Sequence, residues 1–189
     1  MIGRLARYVC LAAGALSPAA PALCAKEPAP LQVAPSVDLA RYAGKWYEIA
    51  RLPNWFQRAC AAGTTATYTL RPDGKVGVVN TCRKSDGTLK VAKGIARLEG
   101  DREPNTKLKV TFFWPFSGKY WILDLAPDYS WALVGEPSRK YLWVLSREPR
   151  MQEAVYEDIL RRAAGRGFDT SRMIRASQEP PAPALSDPS

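Results

Sequence analysis

The sequence predicts an all-β domain in which consecutive hairpins close into a barrel, with one helix after the last strand. Turn signals recur at strand-length spacing along the middle of the chain. Several strand segments carry apolar side chains on both faces: in GKYWILDL, Tyr120 and Ile122 lie opposite Trp121 and Leu123. A sheet closed around a lined interior and partly covered outside explains this better than an open sheet with one wet face.

The first segment of the chain, residues 1–25, predicts a secretory signal peptide. Arg4 and Arg7 precede a short apolar run, and small residues and prolines follow it. The prolines would stop a core helix early, and the run is too short to anchor stably in a bilayer. Leu23 directly before Cys24 is a poor match to a lipid-attachment site, so an anchor at Cys24 stays an alternative to a free, soluble form.

Two proline-rich segments flank the folded part. Residues 26–36 (KEPAPLQVAPS) predict a Pro/Ala-rich linker, and residues 178–189 predict a disordered tail, because neither composition can bury enough apolar surface to fold. Residues 37–177 are therefore expected to form a single domain, which suits a chain of 189 residues.

Cysteine and charge content narrow the classes of function. Outside the leader only Cys60 and Cys82 remain, and a pair in an exported chain indicates a disulfide, with two buried thiols as the alternative. We expect no metal site, because the chain has no histidine and two cysteines alone do not fill a tetrahedral site, and we expect no cofactor. The net charge of +9 is dispersed among acids, which argues against nucleic acid and is compatible with mild attraction to anionic lipid head groups.

The predicted elements follow one another as strands, then a helix, then a short edge strand. The strand segments in chain order are GKWYEIAR, TTATYTL, KVGVVNTC, KLKVTFF, GKYWILDL and KYLWVLSR. Pro149 suits a first helical turn, an apolar stripe recurs at every fourth position, and Gly165 and Gly167 provide a stop. SRMIRAS follows as a short strand at an edge.

The first strand supplies a plug for one end of the barrel. Gly44 and Trp46 stand where the strand begins, and an indole has the size needed to fill the base of a small barrel. Its flat face can bind a cation, and Arg147, at the end of the last strand, is placed to cover it.

Three short motifs in order make the chain resemble the lipocalins. They are GKWYEIAR, PDYSWALVG with Asp128 and Tyr129, and YLWVLSR, and the similarity to the bacterial outer-membrane, apolipoprotein D-like branch covers roughly residues 37–177. The resemblance implies an eight-stranded antiparallel up-and-down barrel with a C-terminal α-helix packed outside. It also implies that Cys60 and Cys82 are paired.

The resemblance further implies a cup that binds fatty acids or lysophospholipids. Strand parity and the resemblance together give the candidate ligand-binding residues Ala66, Tyr68, Val78, Val110, Phe112, Tyr120, Ile122, Ala132, Val134, Tyr141 and Trp143. Gly44, Trp46, Asp128, Tyr129 and Arg147 are expected to be structural. Asn80 and Asp124 share the inward parity, so each is expected to find a partner inside the cup or to contact a head group.

We expect a non-enzymatic carrier or store of single-chain lipids, exported to the periplasm or the outer membrane, as a monomer or weak dimer. One alternative is a surface adaptor that binds another protein through open-end loops, notably LPNWFQRA with Trp55 and Phe56. A lipid-modifying enzyme is the other alternative. It is disfavoured because the chain has no histidine and no G-x-S-x-G stretch, and has no free domain thiol once the two cysteines pair.

Overall fold

The computed structural model describes residues 30–100 and 104–179, and these form a closed antiparallel barrel. Eight strands pair in chain order around it, and the first pairs with both the second and the eighth. The strands are β1 (Gly44–Arg51), β2 (Ala62–Leu70), β3 (Val76–Arg83), β4 (Leu89–Leu98), β5 (Lys107–Phe113), β6 (Phe116–Leu125), β7 (Trp131–Gly135) and β8 (Leu142–Ser146). The predicted all-β class and the eight-stranded topology are confirmed.

Alternation along the strands separates two hydrophobic cores. Inward side chains such as Trp46 and Ala66, which face each other across β1 and β2, form an interior core. Outward side chains such as Leu133 and Val144, which pair across β7 and β8, form a second core beneath a helix. This division accounts for the strands that carry apolar residues on both faces.

A short ninth strand fills the place where β1 and β2 diverge. β1 pairs with β2 over Gly44–Tyr47, and further along it pairs with β9 (Ile174–Arg175). The Gln178 side chain then donates to the backbone oxygens of Glu48 and Thr64. The predicted edge strand is present, and the proposed start of the disordered tail at Gln178 is wrong for this residue.

The C-terminal helix packs on the outside of the barrel, as predicted. α1 (Leu39–Tyr42) precedes β1, and α2 (Glu153–Gly165) follows β8 and buries Tyr156, Ile159 and Ala163. The helix does not begin near Pro149, because Gln152 is extended and its carbonyl accepts the first helical hydrogen bonds. In the described ranges no helix has the length and apolar character needed to cross a membrane.

The segment before the barrel differs from the prediction. Leu31, Ala34 and Val37 are buried, the first in the outer core and the other two in the interior core. The Ala34 backbone N–H donates to the Ile122 carbonyl at 3.0 Å. The prediction of an unpacked linker over 26–36 is therefore wrong from Leu31 onward, because apolar residues three apart give this proline-rich stretch a face to bury. Residues 1–29, with the predicted signal peptide and Cys24, lie outside the described residues.

Candidate functional site

The end of the barrel where β1 begins is closed by an indole and a guanidinium. Trp46 is fully buried and donates its indole N–H to the Tyr42 carbonyl at 2.8 Å. The Arg147 guanidinium carbon lies 3.9 Å from the centroid of the Trp46 ring, in the position expected from the sequence. The same guanidinium donates to the carbonyls of Arg41, Tyr42 and Lys45. Arg147 thereby ties β8 to α1 and to the start of β1.

A glycine permits this arrangement at the first position of β1. Gly44 has a φ of +98°, which side-chain-bearing residues rarely adopt, and a Cβ there would lie 3.2 Å from Nη1 of Arg147. Gly44 therefore allows both the entry angle of β1 and the approach of the guanidinium.

The turn between β6 and β7 braces the same end. Tyr129 has a φ of 65° and its hydroxyl accepts a hydrogen bond from the Asp38 backbone N–H, while Arg41 lies over its ring at 4.0 Å. Asp128 accepts from the backbone N–H and the hydroxyl of Ser130, and the hydroxyl contact is the main reason that its pKa lies below the ordinary value. Both residues lie in a hydrogen-bonded turn, away from the barrel mouth.

The floor of the barrel interior is filled, and it contains a chain of hydroxyl groups. The Tyr120 hydroxyl lies 2.8 Å from that of Tyr42 and 2.8 Å from that of Tyr68. Burial raises the pKa of all three phenols, so they are neutral donors and acceptors at physiological pH. A cavity beside them offers about 10 Å³ to the centre of a water molecule, which is room for about one water.

The walls of the interior carry the predicted ligand-binding set. Ten of the eleven residues belong to the interior core or pack against it: Ala66, Tyr68, Val78, Val110, Phe112, Tyr120, Ile122, Ala132, Val134 and Trp143. Tyr141 instead stands at the rim, with its ring 6.0 Å from that of Trp143. Exposure changes along the axis: Trp46 and Ile122 are buried, whereas Phe112 and Trp143, near the strand ends opposite the plug, are half-buried.

The connection between β1 and β2 folds onto the mouth of the barrel. The Phe56 ring lies 5.6 Å from that of Tyr141 and 6.3 Å from that of Trp143. Gln57 accepts from the Trp143 indole N–H at 3.0 Å and donates to a Glu48 oxygen at 2.6 Å. Phe56 therefore packs over the rim, whereas Trp55 beside it is exposed.

A disulfide fixes the far end of this connection. Cys60 and Cys82 are bonded, which confirms the predicted pairing and joins the connection to β3. The Cys60 backbone N–H also donates to the Gln57 carbonyl at 2.9 Å. The two attachments hold the segment that carries Phe56 against the barrel mouth.

Asn80 and Asp124, the two polar residues that strand alternation predicts to face the interior, have different surroundings. Asp124 faces α2, where its carboxylate lies 3.1 Å from Arg166, because the β6–β7 register shifts between Ile122 and Asp124. The expectation that Asp124 points into the cup is wrong. Asn80 does lie on the inner wall of β3, and its buried Oδ1 has no hydrogen-bond partner within the described part of the chain.

A buried carboxylate near the mouth was missed from the sequence. Glu48 is buried two positions after Trp46 on β1, and it pairs with Arg51 at 2.6 Å as well as with Gln57. Burial is the largest influence on its carboxyl group and raises its pKa. Its parity with Trp46 was the available signal, because residues two apart on a strand share a face.

The described residues contain no group of three or more histidine, cysteine, aspartate or glutamate side chains that could hold a metal ion. What the structure defines is a barrel with a braced floor and an apolar, half-exposed upper wall beneath a pinned loop. The barrel is thus closed and filled at one end and less tightly packed at the other.

Comparison with known proteins identifies the family. The family model described as a lipocalin-like domain matches residues 37–178, and the chain belongs to that family. It is 39% identical over 155 residues to temperature-induced lipocalin-1 of Arabidopsis thaliana, covering 78% of this chain and 83% of the relative. It is 40% identical over 152 residues to the outer membrane lipoprotein Blc of Escherichia coli strain K12, covering 80% and 85%.

Solved structures show the same fold at lower identity. Insecticyanin from the tobacco hornworm Manduca sexta superposes with a TM-score of 0.61 at 23% identity, covering 79% of this chain and 84% of that one. Lobster apocrustacyanin A1 gives a TM-score of 0.60 at 21% identity, covering 74% and 79%.

Proposed function

We propose that the barrel reversibly binds one single-chain lipid, a fatty acid or a lysophospholipid, without chemical change. The observation that carries the proposal is the gradient along the barrel axis. The floor is closed by Trp46, and the upper wall presents half-exposed aromatic side chains such as Phe112 and Trp143. Covering apolar wall with an acyl chain is favourable by about 25 cal/mol per Å² removed from water.

The same gradient orients the ligand. The tyrosine hydroxyl layer at Tyr42, Tyr68 and Tyr120 already satisfies its own hydrogen bonds, so the tail ends above it without leaving polar groups unpaired. The polar head group then lies at the mouth, where water remains accessible. The unpaired Oδ1 of Asn80 on the inner wall offers an acceptor to a ligand hydroxyl.

The available side chains fit reversible ligand binding better than they fit catalysis. The chain contains no histidine, and both domain cysteines are engaged in the disulfide, which removes the commonest general base and the strongest nucleophile. Relatives named outer membrane lipoprotein and the predicted signal peptide together support storage or transport of lipid in the bacterial envelope.

The proposal is tested by titrating fatty acids and lysophospholipids of increasing chain length while following tryptophan fluorescence. Each added methylene is worth about 0.8 kcal/mol when buried, so affinity should rise roughly fourfold per methylene until the cup is full, with a smaller effect of the head group. Affinity that stays flat with chain length contradicts binding in the cup.

A matched pair of variants locates the site. Phe112→Glu places a charge on the inner face of β5, and Thr111→Glu places the same charge on the neighbouring outward position of that strand. We expect at least a tenfold loss of affinity for Phe112→Glu and little change for Thr111→Glu, measured on folded protein. Equal ligand affinity in the two variants would show that the ligand does not bind inside the cup.

A further inference from the structure

The connection between β5 and β6 presents three aromatic side chains to solvent. Phe113, Trp114 and Phe116 are 77%, 88% and 77% exposed, more than any other large apolar side chain that the structure describes. We call these three residues the aromatic tip. It lies at the open end of the barrel, because β5 runs away from the plugged end and β6 returns to it. The ligand cup does not use these side chains.

Two further apolar side chains are exposed at the same end of the barrel. Leu89 and Val91, at the open end of β4, are 58% and 47% exposed. β4 and β5 pair up to Ile95 and Thr111, beyond which both strands continue toward the open end. A group of exposed apolar side chains, such as the aromatic tip, marks an interaction site more often than an isolated exposed side chain does.

Positive charge predominates at the end of the barrel that carries the aromatic tip. Lys93 is exposed on β4 between Val91 and Ile95. The connections at the open end contain four cationic and two acidic side chains: Arg58, Lys84, Arg139, Lys140, Asp86 and Glu136. Each of the two acids caps its own turn through hydrogen bonds to backbone N–H groups. The open end thus combines exposed aromatic rings with an excess of positive charge.

We propose that the aromatic tip docks the barrel onto an anionic lipid bilayer, with the tip inserted at the level of the head groups. Aromatic side chains partition to the level of the head groups because a large apolar ring surface is combined with a ring edge that tolerates water. The negative surface potential of the anionic lipids attracts the nearby lysines. Docking in this way brings the mouth of the cup close to the membrane surface, where a single-chain lipid would enter or leave.

A bilayer fits this surface better than a second protein does. The three side chains lie at the tip of the β5–β6 hairpin, in its two-residue connection or directly beside it, and are almost uncovered. A partner must therefore surround them, as fluid lipid can. Lys84 and Lys93, at the open half of the barrel, belong to a residue type that is depleted at protein interfaces, whereas anionic membranes attract it.

The test is flotation with vesicles of phosphatidylcholine containing about one third phosphatidylglycerol, at low and high salt, alongside vesicles of phosphatidylcholine alone. Every protein is the full chain carrying Cys24→Ser, so that no lipid attached at this cysteine contributes. The test variant combines Phe113→Ser, Trp114→Ser and Phe116→Ser. The matched control is Leu70→Ser, which removes an exposed apolar side chain from the plugged end.

We expect the triple variant to lose at least tenfold in partitioning to the anionic vesicles, the Leu70→Ser protein to match its parent, and partitioning to fall with salt. Vesicles brominated in the acyl chains should quench Trp114. Because Trp143 in the cup would also be quenched by a bound brominated lipid, the Trp114→Phe protein separates the two contributions. It should bind vesicles as the parent does, and the quenching that it loses relative to the parent is the part that belongs to Trp114.

The proposal is overturned by equal partitioning of the triple variant and its parent, or by quenching that is as strong in Trp114→Phe as in the parent. It is also overturned if the parent ignores vesicles and forms a dimer that the triple variant does not form, since the aromatic tip would then bind a second copy. Because binding of micellar or monomeric lipids to the cup is measured separately, loss of docking with retained cup binding leaves the proposed function intact.

Discussion

Replacing Arg147 with alanine should destabilise the barrel and leave ligand affinity nearly unchanged. The side chain stacks 3.9 Å from the centroid of the Trp46 ring and donates three hydrogen bonds to carbonyls of α1 and the start of β1. None of these contacts involves the upper wall of the cup. The substitution should therefore weaken the packing of the closed end of the barrel.

The magnitude follows from these contacts. A cation over an indole is worth about 0.5–2 kcal/mol, and a hydrogen bond contributes about 1 kcal/mol net. The guanidinium is partly exposed and its contacts share one side chain, so the terms do not add fully. We expect the free energy of unfolding to fall by about 2–4 kcal/mol, which lowers the Tm of a domain of this size by roughly 5–15 °C.

Denaturant unfolding with the disulfide intact measures this change. Arg150→Ala is the matched control, because the Arg150 side chain is 86% exposed and its ion pair with Glu179 also lies at the surface. This substitution should change the free energy of unfolding by less than about 0.5 kcal/mol. Arg147→Lys keeps the positive charge but loses the planar guanidinium group with its several N–H donors. Its loss of stability should therefore lie between those of Arg147→Ala and Arg150→Ala. A loss for Arg147→Ala no larger than the control, or a large loss of affinity without destabilisation, would refute the reasoning.

Three further predictions concern stability. Replacing Cys60 and Cys82 by alanine should lower the free energy of unfolding by about 3 kcal/mol, seen in denaturant titration, because the bond closes a loop with a sequence separation of 22. Gly135→Ala should cost about 1–3 kcal/mol by overpacking, since a Cβ there meets Leu123 and Phe168 atoms at 2.9 Å, whereas Gly118→Ala meets nothing within 4 Å and should be neutral in thermal unfolding. For Glu48→Gln, pH-dependent unfolding should show the variant gaining on its parent as pH rises above about 4.3, because a carboxyl pKa raised by folding contributes stability only while it stays protonated.

The barrel was predictable because burial of strand faces imposes a period of two that the sequence must display. In KLKVTFF, Leu108 and Val110 are buried in the interior core, and Phe112 packs against it, as their spacing predicts. The plug was predictable for a related reason: Trp46 follows a glycine at a strand start, and Arg147 ends the last barrel strand. These features are local in sequence or fixed by alternation.

The failures lie where one extra residue changes the register. A shift between Ile122 and Asp124 turns the Asp124 side chain away from the interior and toward Arg166. An inserted residue shifts the phase of the alternation, but the shift is hidden where apolar residues occupy both faces of the strand, as they do in WILDL. Parity counted through such a position assigns the wrong face. The packing of Leu31 was missed for another reason, since prolines obscured the apolar residues beside them.

Residues at the closed end of the barrel contribute mainly to stability, whereas residues at the open end remain available to a ligand. At the closed end, Trp46 and Arg147 have nearly all their polar groups engaged with one another or with backbone, so a change there alters folding first. At the open end, Phe112 and Trp143 remain half-buried, and half-buried apolar surface still has free energy to gain from a ligand. A barrel packed equally tightly along its whole axis would be more stable, but it would have no exposed apolar surface inside for a ligand to bury. The incomplete burial of the upper wall is therefore what a ligand-binding barrel requires.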